Sequence, residues 1–245
     1  MLCKDRVAIV TGAAGQGMGR SIALTLAREG AKVVVNYRTS DDSARQIVDY
    51  IVSQGGSAMP VQADIITPQG CQYLVESVLR VYGRVDICVI GPGGGWHPEP
   101  PDRLDVTGAL ADLHADVAPI YYLMPLVLPG MYERKWGRLV GVSLHPTKLP
   151  PAYAYNVGKA ARAEAFRLAV DQAWAGGVTV NTVAPGPVSP IGSLEEAIDQ
   201  CNHGEAWQNR EDISPQDVAE GVAFLCSEAA NYVSGCVIPY VFKVN

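Results

Sequence analysis

The stretch Thr11-Gly12-Ala13-Ala14-Gly15-Gln16-Gly17-Met18-Gly19-Arg20 decides how this chain is read. It follows an apolar run, Val7–Thr11, and precedes Ser21-Ile22-Ala23-Leu24-Thr25-Leu26-Ala27-Arg28, an amphipathic helical segment. Glycines between a strand and a helix let a pyrophosphate approach the backbone and rest on the helix N-terminus. Gly12, Gly17, Met18 and Gly19 are therefore candidate cofactor contacts.

Working outward, valine-rich runs alternate with helix-length segments. The expected strands are Val7–Thr11, Lys32–Asn36, Ala58–Gln62, Val85–Ile90, Arg138–Ser143, Val178–Val183 and Val237–Tyr240. Continuous apolar runs such as Val33-Val34-Val35 suit parallel strands buried on both faces. Helices are expected at about 18–30, 41–54, 67–82, 105–134, 153–175 and 215–227. The last starts with Ser214 as N-cap, Pro215 at the first helical position and Asp217 at the third. Such alternation predicts an α/β fold: a doubly wound, Rossmann-like parallel sheet of seven strands in a single domain spanning 1–245. Two Gly/Pro-rich stretches, 91–103 and 184–193, follow strands four and six at the edge where such sheets bind ligands.

Composition narrows the partners. The 245 residues carry a formal charge of −6 and no basic run, which argues against nucleic acid. The six cysteines are scattered without Cys-x-x-Cys, which suits reduced thiols in a cytoplasmic protein. Met1-Leu2-Cys3-Lys4-Asp5-Arg6 lacks the apolar core of a signal peptide. The apolar stretch Val117–Met131 is interrupted by Pro119, Pro125 and Pro129 and is too short for the roughly 20 residues of a membrane span. It is expected to form a buried or interface helix kinked by its prolines. His97, His114, His145 and His203 show no ligand spacing, so no catalytic metal is expected.

About 140 residues after the glycine turn, Tyr155 and Lys159 stand at i and i+4. That spacing puts both on one helix face, where the lysine's charge can lower the phenol's pKa. With the glycine turn upstream, the pair points to a nicotinamide-dependent oxidoreductase. The second strand ends Asn36-Tyr37-Arg38. In an NAD-binding unit an acid normally occupies the place of Tyr37 and holds the adenosine ribose. A missing carboxylate followed by a guanidinium favours a 2′-phosphate, so NADP(H) is the expected cofactor.

Over essentially its whole length the chain resembles the short-chain dehydrogenases/reductases, and among them 3-oxoacyl-acyl-carrier-protein reductases. Further residues carry the match: Ala63-Asp64-Ile65, Asp86-Ile87, Leu128-Pro129-Gly130-Met131, Trp136-Gly137-Arg138, Val180-Asn181, Ala184-Pro185-Gly186-Pro187-Val188 and Tyr232–Pro239. The resemblance implies that Asp64 and Ile65 border the adenine and that Val188 meets the nicotinamide carboxamide through its backbone. Gly91, Pro185 and Gly186 join the cofactor-binding set. It further implies Tyr155 as general acid, Lys159 as ribose contact, a carbonyl-polarising serine and a relay asparagine.

The serine position is ambiguous. Counting from Gly137 it falls on Leu144, and counting back from Tyr155 it falls on Ser143, with His145 as a further donor candidate. Asp116 stands where the asparagine is expected; an ionised carboxylate accepts hydrogen bonds but cannot donate. The glycine turn has four residues between Gly12 and Gly17 where the family has three. The family's Asn-Asn-Ala-Gly becomes Ile90-Gly91-Pro92-Gly93, Pro190 replaces a threonine, and Tyr240-Val241-Phe242-Lys243 replaces Asp-Gly-Gly. Three readings follow: a reductase of a ketone or 3-oxoacyl group, a relative with non-redox chemistry, and a binding or scaffold protein. The substrate, a small-molecule carbonyl or acyl compound, would enter between residues 91–103 and 186–210. Trp96 and Trp207 are candidate pocket walls, and Ile191–His203 is a candidate lid helix. The family implies a homodimer or homotetramer built on Ala160, Ala161, Ala163 and Ala165 with Leu123, Leu126 and Val127.

Overall fold

The computed structural model describes residues 1–144, 152–204, 206, 208 and 210–240. Its strands are β1 (Val7–Val10), β2 (Lys32–Tyr37), β3 (Ser57–Gln62), β4 (Ile87–Ile90), β5 (Gly137–Val142), β6 (Val178–Pro185) and β7 (Val237–Tyr240). All pair in parallel in one sheet of order β3-β2-β1-β4-β5-β6-β7. The helices are α1 (Met18–Arg28), α2 (Asp41–Ser53), α3 (Pro68–Tyr82), α4 (Val106–Glu133), α5 (Tyr153–Leu168), α6 (Val170–Ala175), α7 (Leu194–His203) and α8 (Pro215–Leu225).

Strand alternation builds a core on each face of this sheet. Ala8, Val10, Val33 and Val35 pack with Ile22 and Leu26 of α1, Ile47 of α2 and Val218 and Val222 of α8. Val7, Ile9 and Val34 point the other way, toward Leu74 of α3, Leu123 and Val127 of α4 and Phe166 of α5. Successive side chains of a strand face opposite sides, so an unbroken valine run serves two layers. The doubly wound arrangement is the one the sequence predicts.

Local signals place the helix ends. Thr67 caps α3, accepting from the Gly70 amide at 3.1 Å, with Pro68 in the first turn. Ser214 and Asp217 form a complete capping box at the start of α8. The segment expected as one helix over 153–175 is instead two. A tightened turn, Ala169 N–H to Phe166 O at 3.1 Å, separates α5 from α6 and lets Ala173 reach the core. The α4 helix runs continuously through Pro119, Pro125 and Pro129. Leu123 and Val127, expected at a subunit contact, are buried in the core; the large exposed apolar side chains of α4 and α5 include Val106, Leu110, Tyr121, Leu126, Val157 and Leu168.

Strand order reverses between β1 and β4, and their C-terminal ends open the crevice that holds the site. There Thr11 N–H donates to Val89 O at 3.0 Å, and Gly91 N–H donates to Thr11 Oγ1 at 3.0 Å. All six cysteines are free, and only Cys236 is exposed. Burial pushes the thiols of Cys3, Cys71 and Cys88 up to about 12. Among the described residues no helix is long and apolar enough to cross a membrane, and no cluster of His, Cys, Asp or Glu suits a metal ion.

Candidate active site

Two cavities flank the crevice. The first, of about 280 Å³, is lined by Gly12, Gly15, Arg38, Asp64, Ile65 and Pro92, with Tyr37 and Gly93 among its other walls. The second, of about 340 Å³, is lined by Met18, Trp96, Ser143, Leu144, Tyr155, Pro185, Gly186 and Val188. Of the expected cofactor contacts, Gly12, Arg38, Asp64 and Ile65 line the first cavity and Met18, Tyr155, Pro185, Gly186 and Val188 the second, whereas Gly17, Gly19, Gly91 and Lys159 line neither. Between them lies the start of α1. Gly17 is its N-cap and supplies no side-chain cap, so the first-turn amides keep their donors.

The lengthened glycine turn is braced against β2. Ala13 N–H donates to Asn36 O at 2.8 Å, Gly12 N–H to Asn36 Oδ1 at 3.3 Å, and Ser43 Oγ–H to Ala14 O at 2.8 Å. Gly12 has φ of +61°, and a Cβ there would meet Pro92 Cγ at 2.3 Å. Only glycine satisfies both conditions. The uncapped amides and the glycine backbone fit a dinucleotide pyrophosphate.

Arg38 is exposed at the rim of the first cavity. Nearby, Tyr37 donates its hydroxyl proton to Asp41, which also pairs with Arg45 at 2.8 Å. That carboxylate is therefore engaged on both oxygens, and Arg38 and Asp64 are the charged side chains that line the cavity.

The first turns of α5 carry the candidate catalytic side chains Tyr155 and Lys159. Tyr155 is edge-on to Trp96, with ring centroids 5.1 Å apart, and Lys159 Nζ lies 5.0 Å from the phenol centroid. Lys159 Nζ donates to Asp116 Oδ1 at 2.7 Å, deep below the cavity. Ser143 does reach the site wall, and so does Leu144. Both can line it because β5 ends at Val142, before either residue. Ser143 Oγ–H donates to Lys159 O at 2.6 Å, so this hydroxyl is engaged with backbone and braces α5. His145, Trp207 and residues 241–243 lie outside the described residues.

The electrostatics correct one expectation. Burial first, and the Asp116 charge second, push the Tyr155 phenol above its ordinary value. The Arg162 charge opposes them. Lys159 is itself lowered, by burial and then by Arg162, while Asp116 works to keep it charged. Tyr155 therefore holds its proton firmly at neutral pH, as a proton donor must before it reacts.

Arg162 is the residue that sequence reasoning missed. It is fully buried, with a 3.0 Å ion pair to Asp116 Oδ1. Its remaining donors go to backbone carbonyls: Asp116 at 3.0 Å, Gly91 at 2.5 Å, Val142 at 2.9 Å, and Pro92. The available signal was periodicity, because residues 155, 159, 162 and 166 share one helix face.

A doubly wound parallel sheet, a glycine turn before an uncapped helix, and a helix-borne Tyr/Lys pair define a dinucleotide-binding oxidoreductase class. A family profile described as "Enoyl-(Acyl carrier protein) reductase" matches residues 12–240. Versicolorin reductase of Emericella nidulans is 31% identical, covering 95% of this chain and 93% of the relative. The 7alpha-hydroxysteroid dehydrogenase of Escherichia coli is also 31% identical, over 95% and 91%. A solved structure of 7 alpha-hydroxysteroid dehydrogenase complexed with NADH and 7-oxo glycochenodeoxycholic acid superposes with a TM-score of 0.84 at 29% identity, covering 100% of this chain and 97% of that one. The chain belongs to the short-chain dehydrogenase/reductase family, whose members here are oxidoreductases acting on small molecules.

Proposed function

We propose that this chain is an NADP(H)-dependent reductase of a ketone or 3-oxoacyl group, with Tyr155 as general acid and Lys159 assisting. The carrying observation is the placement of Tyr155 on one wall of the cavity that Met18, Ser143 and Val188 also line. A reduced nicotinamide supplies hydride to a carbonyl carbon. Gly12, Gly17, Met18 and Gly19 would hold its pyrophosphate, Asp64 and Ile65 its adenine, and Gly91, Pro185, Gly186 and Val188 its nicotinamide end. Tyr155 Oη would give its proton to the carbonyl oxygen as charge develops there. Lys159, with donors left after its bond to Asp116, would orient the ribose.

Preference for NADP(H) is supported by Arg38 at the cavity rim and by Tyr37 in place of an acid. The solved relative with NADH shows that the fold accommodates the other cofactor too. The wall of Trp96, Leu144 and Pro187 supports an apolar substrate. We read the chain as one domain over 1–245 acting in the cytoplasm. The open apolar hollow lined by Leu110, Leu113, Val117, Tyr121 and Ala161 supports a homodimer or homotetramer.

A second reading, with non-redox chemistry or a binding role, draws on one observation: the Ser143 hydroxyl donates to a backbone carbonyl. Oxidation of NADPH by a panel of steroid ketones, polycyclic aromatic ketones and 3-oxoacyl thioesters separates the two. Turnover of at least one ketone supports the reductase, and tight dinucleotide binding with none turned over supports the second reading.

A further inference from the structure

We propose that Arg162 is a positioning residue of the active site: a second buried cation that offsets Asp116, so that the cluster beneath Tyr155 keeps one net positive charge. The inference rests on the reading of Tyr155 as the acid.

Asp116, Lys159 and Arg162 form a single cluster, with Asp116 and Arg162 fully buried and Lys159 nearly so. Asp116 Oδ1 accepts from Lys159 Nζ and lies 3.0 Å from Arg162 Nη2, while its buried Oδ2 has no hydrogen-bond partner among the described residues. A lone carboxylate beside Lys159 would cancel the ammonium and leave the phenol facing no net charge. Arg162 changes that balance to two cations and one anion. Charge at this depth is poorly screened, so the balance is felt at the phenol.

The charged groups that face the pair come from two elements. Asp116 and Asp112 lie on α4, and Lys159 and Arg162 lie on α5. The chain leaving β4 contributes backbone, Trp96 and His97, the last tied to Asp112 at 2.8 Å. The β5 end contributes the uncharged Ser143. Within this set Asp116 pushes the phenol up and Arg162 pulls it down.

Arg162 also connects two departures from the family that look independent in the sequence. Its guanidinium holds the carbonyls of Gly91 and Pro92, the segment where the Asn-Asn-Ala-Gly pattern is lost. The same group pairs with Asp116, where the relay asparagine is lost. Gly93 then packs directly over the cluster: a Cβ there would lie 1.9 Å from Asp116 Oδ1, 2.6 Å from Lys159 Nζ and 2.7 Å from Arg162 Nη2. Carboxylate, guanidinium and loop form one interdependent unit.

The test is a charge cycle at residues 116 and 162 in the full chain: wild type, Asp116→Asn, Arg162→Met, and both together. NMR of ¹³C-tyrosine-labelled protein, with Tyr155 assigned by Tyr155→Phe, follows phenol ionisation without requiring turnover. Arg162→Met should raise the Tyr155 pKa by about one unit or more, and Asp116→Asn should lower it by a similar amount. The double variant should return to within about half a unit of wild type. Arg162→Met strands a buried carboxylate and is the variant at risk of not folding. The comparison of Asp116→Asn with the double variant contains no stranded carboxylate and decides the matter alone. A higher Tyr155 pKa in the double variant supports the proposal; equal values in the two overturn it. The pH profile of kcat/KM with NADPH and a ketone should shift in the same direction. Phenol shifts as described with no ketone turnover would leave the charge assignment standing and count against the reductase reading.

Discussion

Lys159 Nζ and Asp116 Oδ1 are 2.7 Å apart in a buried pair, with the Tyr155 ring 5.0 Å above the ammonium. The lysine that the family uses beside its tyrosine is therefore partly neutralised here, and the guanidinium of Arg162 restores the positive charge. The site keeps the tyrosine and lysine but supports them with different neighbours.

Gly93 should be intolerant of any side chain. Gly93→Ala places a methyl group 1.9 Å from Asp116 Oδ1, so the loop or the carboxylate must move. Overpacking of this kind costs about 1–3 kcal/mol. We expect a lowered melting temperature and at least a roughly tenfold loss in kcat/KM. Wild-type activity with an unchanged melting temperature would show that the loop does not rest on the cluster.

Arg38 should select the cofactor. Arg38→Ala should weaken NADPH binding by roughly tenfold, the loss of one charge-assisted contact to phosphate, and leave NADH nearly unaffected. Fluorescence titration of both nucleotides measures it. Equal weakening of both, or tighter NADH binding by the wild type, would remove the NADP(H) assignment.

The loop bearing Trp96 is tied to α4 by Asp112, which accepts from Gly95 N–H at 3.1 Å and pairs with His97 Nδ1 at 2.8 Å. The bond to Asp112, and then its charge, raise His97 above its ordinary value. Because the folded value lies above the unfolded one, this contact adds stability below about pH 6.5 and loses it as pH rises through the folded pKa. An NMR titration should find His97 raised in the wild type and nearer ordinary in Asp112→Asn. Identical titrations in the two proteins would show that the tie does not persist in solution.

The layout of the fold was legible because it rests on patterns local to the chain. Valine runs and helix-length spacers announce a two-faced parallel sheet, and Ser214-Pro215 with Asp217 marks a helix start without help from elsewhere. The site was legible only in part. Counting along the chain left Ser143 and Leu144 as alternatives, and because β5 stops at Val142 both reach the cavity. Periodicity puts Arg162 on the face of Tyr155 and Lys159 but does not reveal its burial. A charged residue on an amphipathic helix normally faces solvent. Its burial depends on carbonyls at the ends of β4 and β5, 71 and 20 residues away in sequence. The same long-range packing draws Leu123 and Val127 into the core, where helix periodicity alone does not distinguish a sheet contact from a subunit contact.

The central claim is that Tyr155 delivers the proton to a carbonyl oxygen during NADPH-dependent reduction. The most direct measurement is kcat/KM of Tyr155→Phe for whichever ketone the wild type turns over, alongside its NADPH affinity. Removing a general acid while keeping the ring should lower kcat/KM by about 10²-fold or more, with NADPH affinity within roughly threefold of wild type. Unchanged turnover by a folded, cofactor-binding Tyr155→Phe protein would contradict the account.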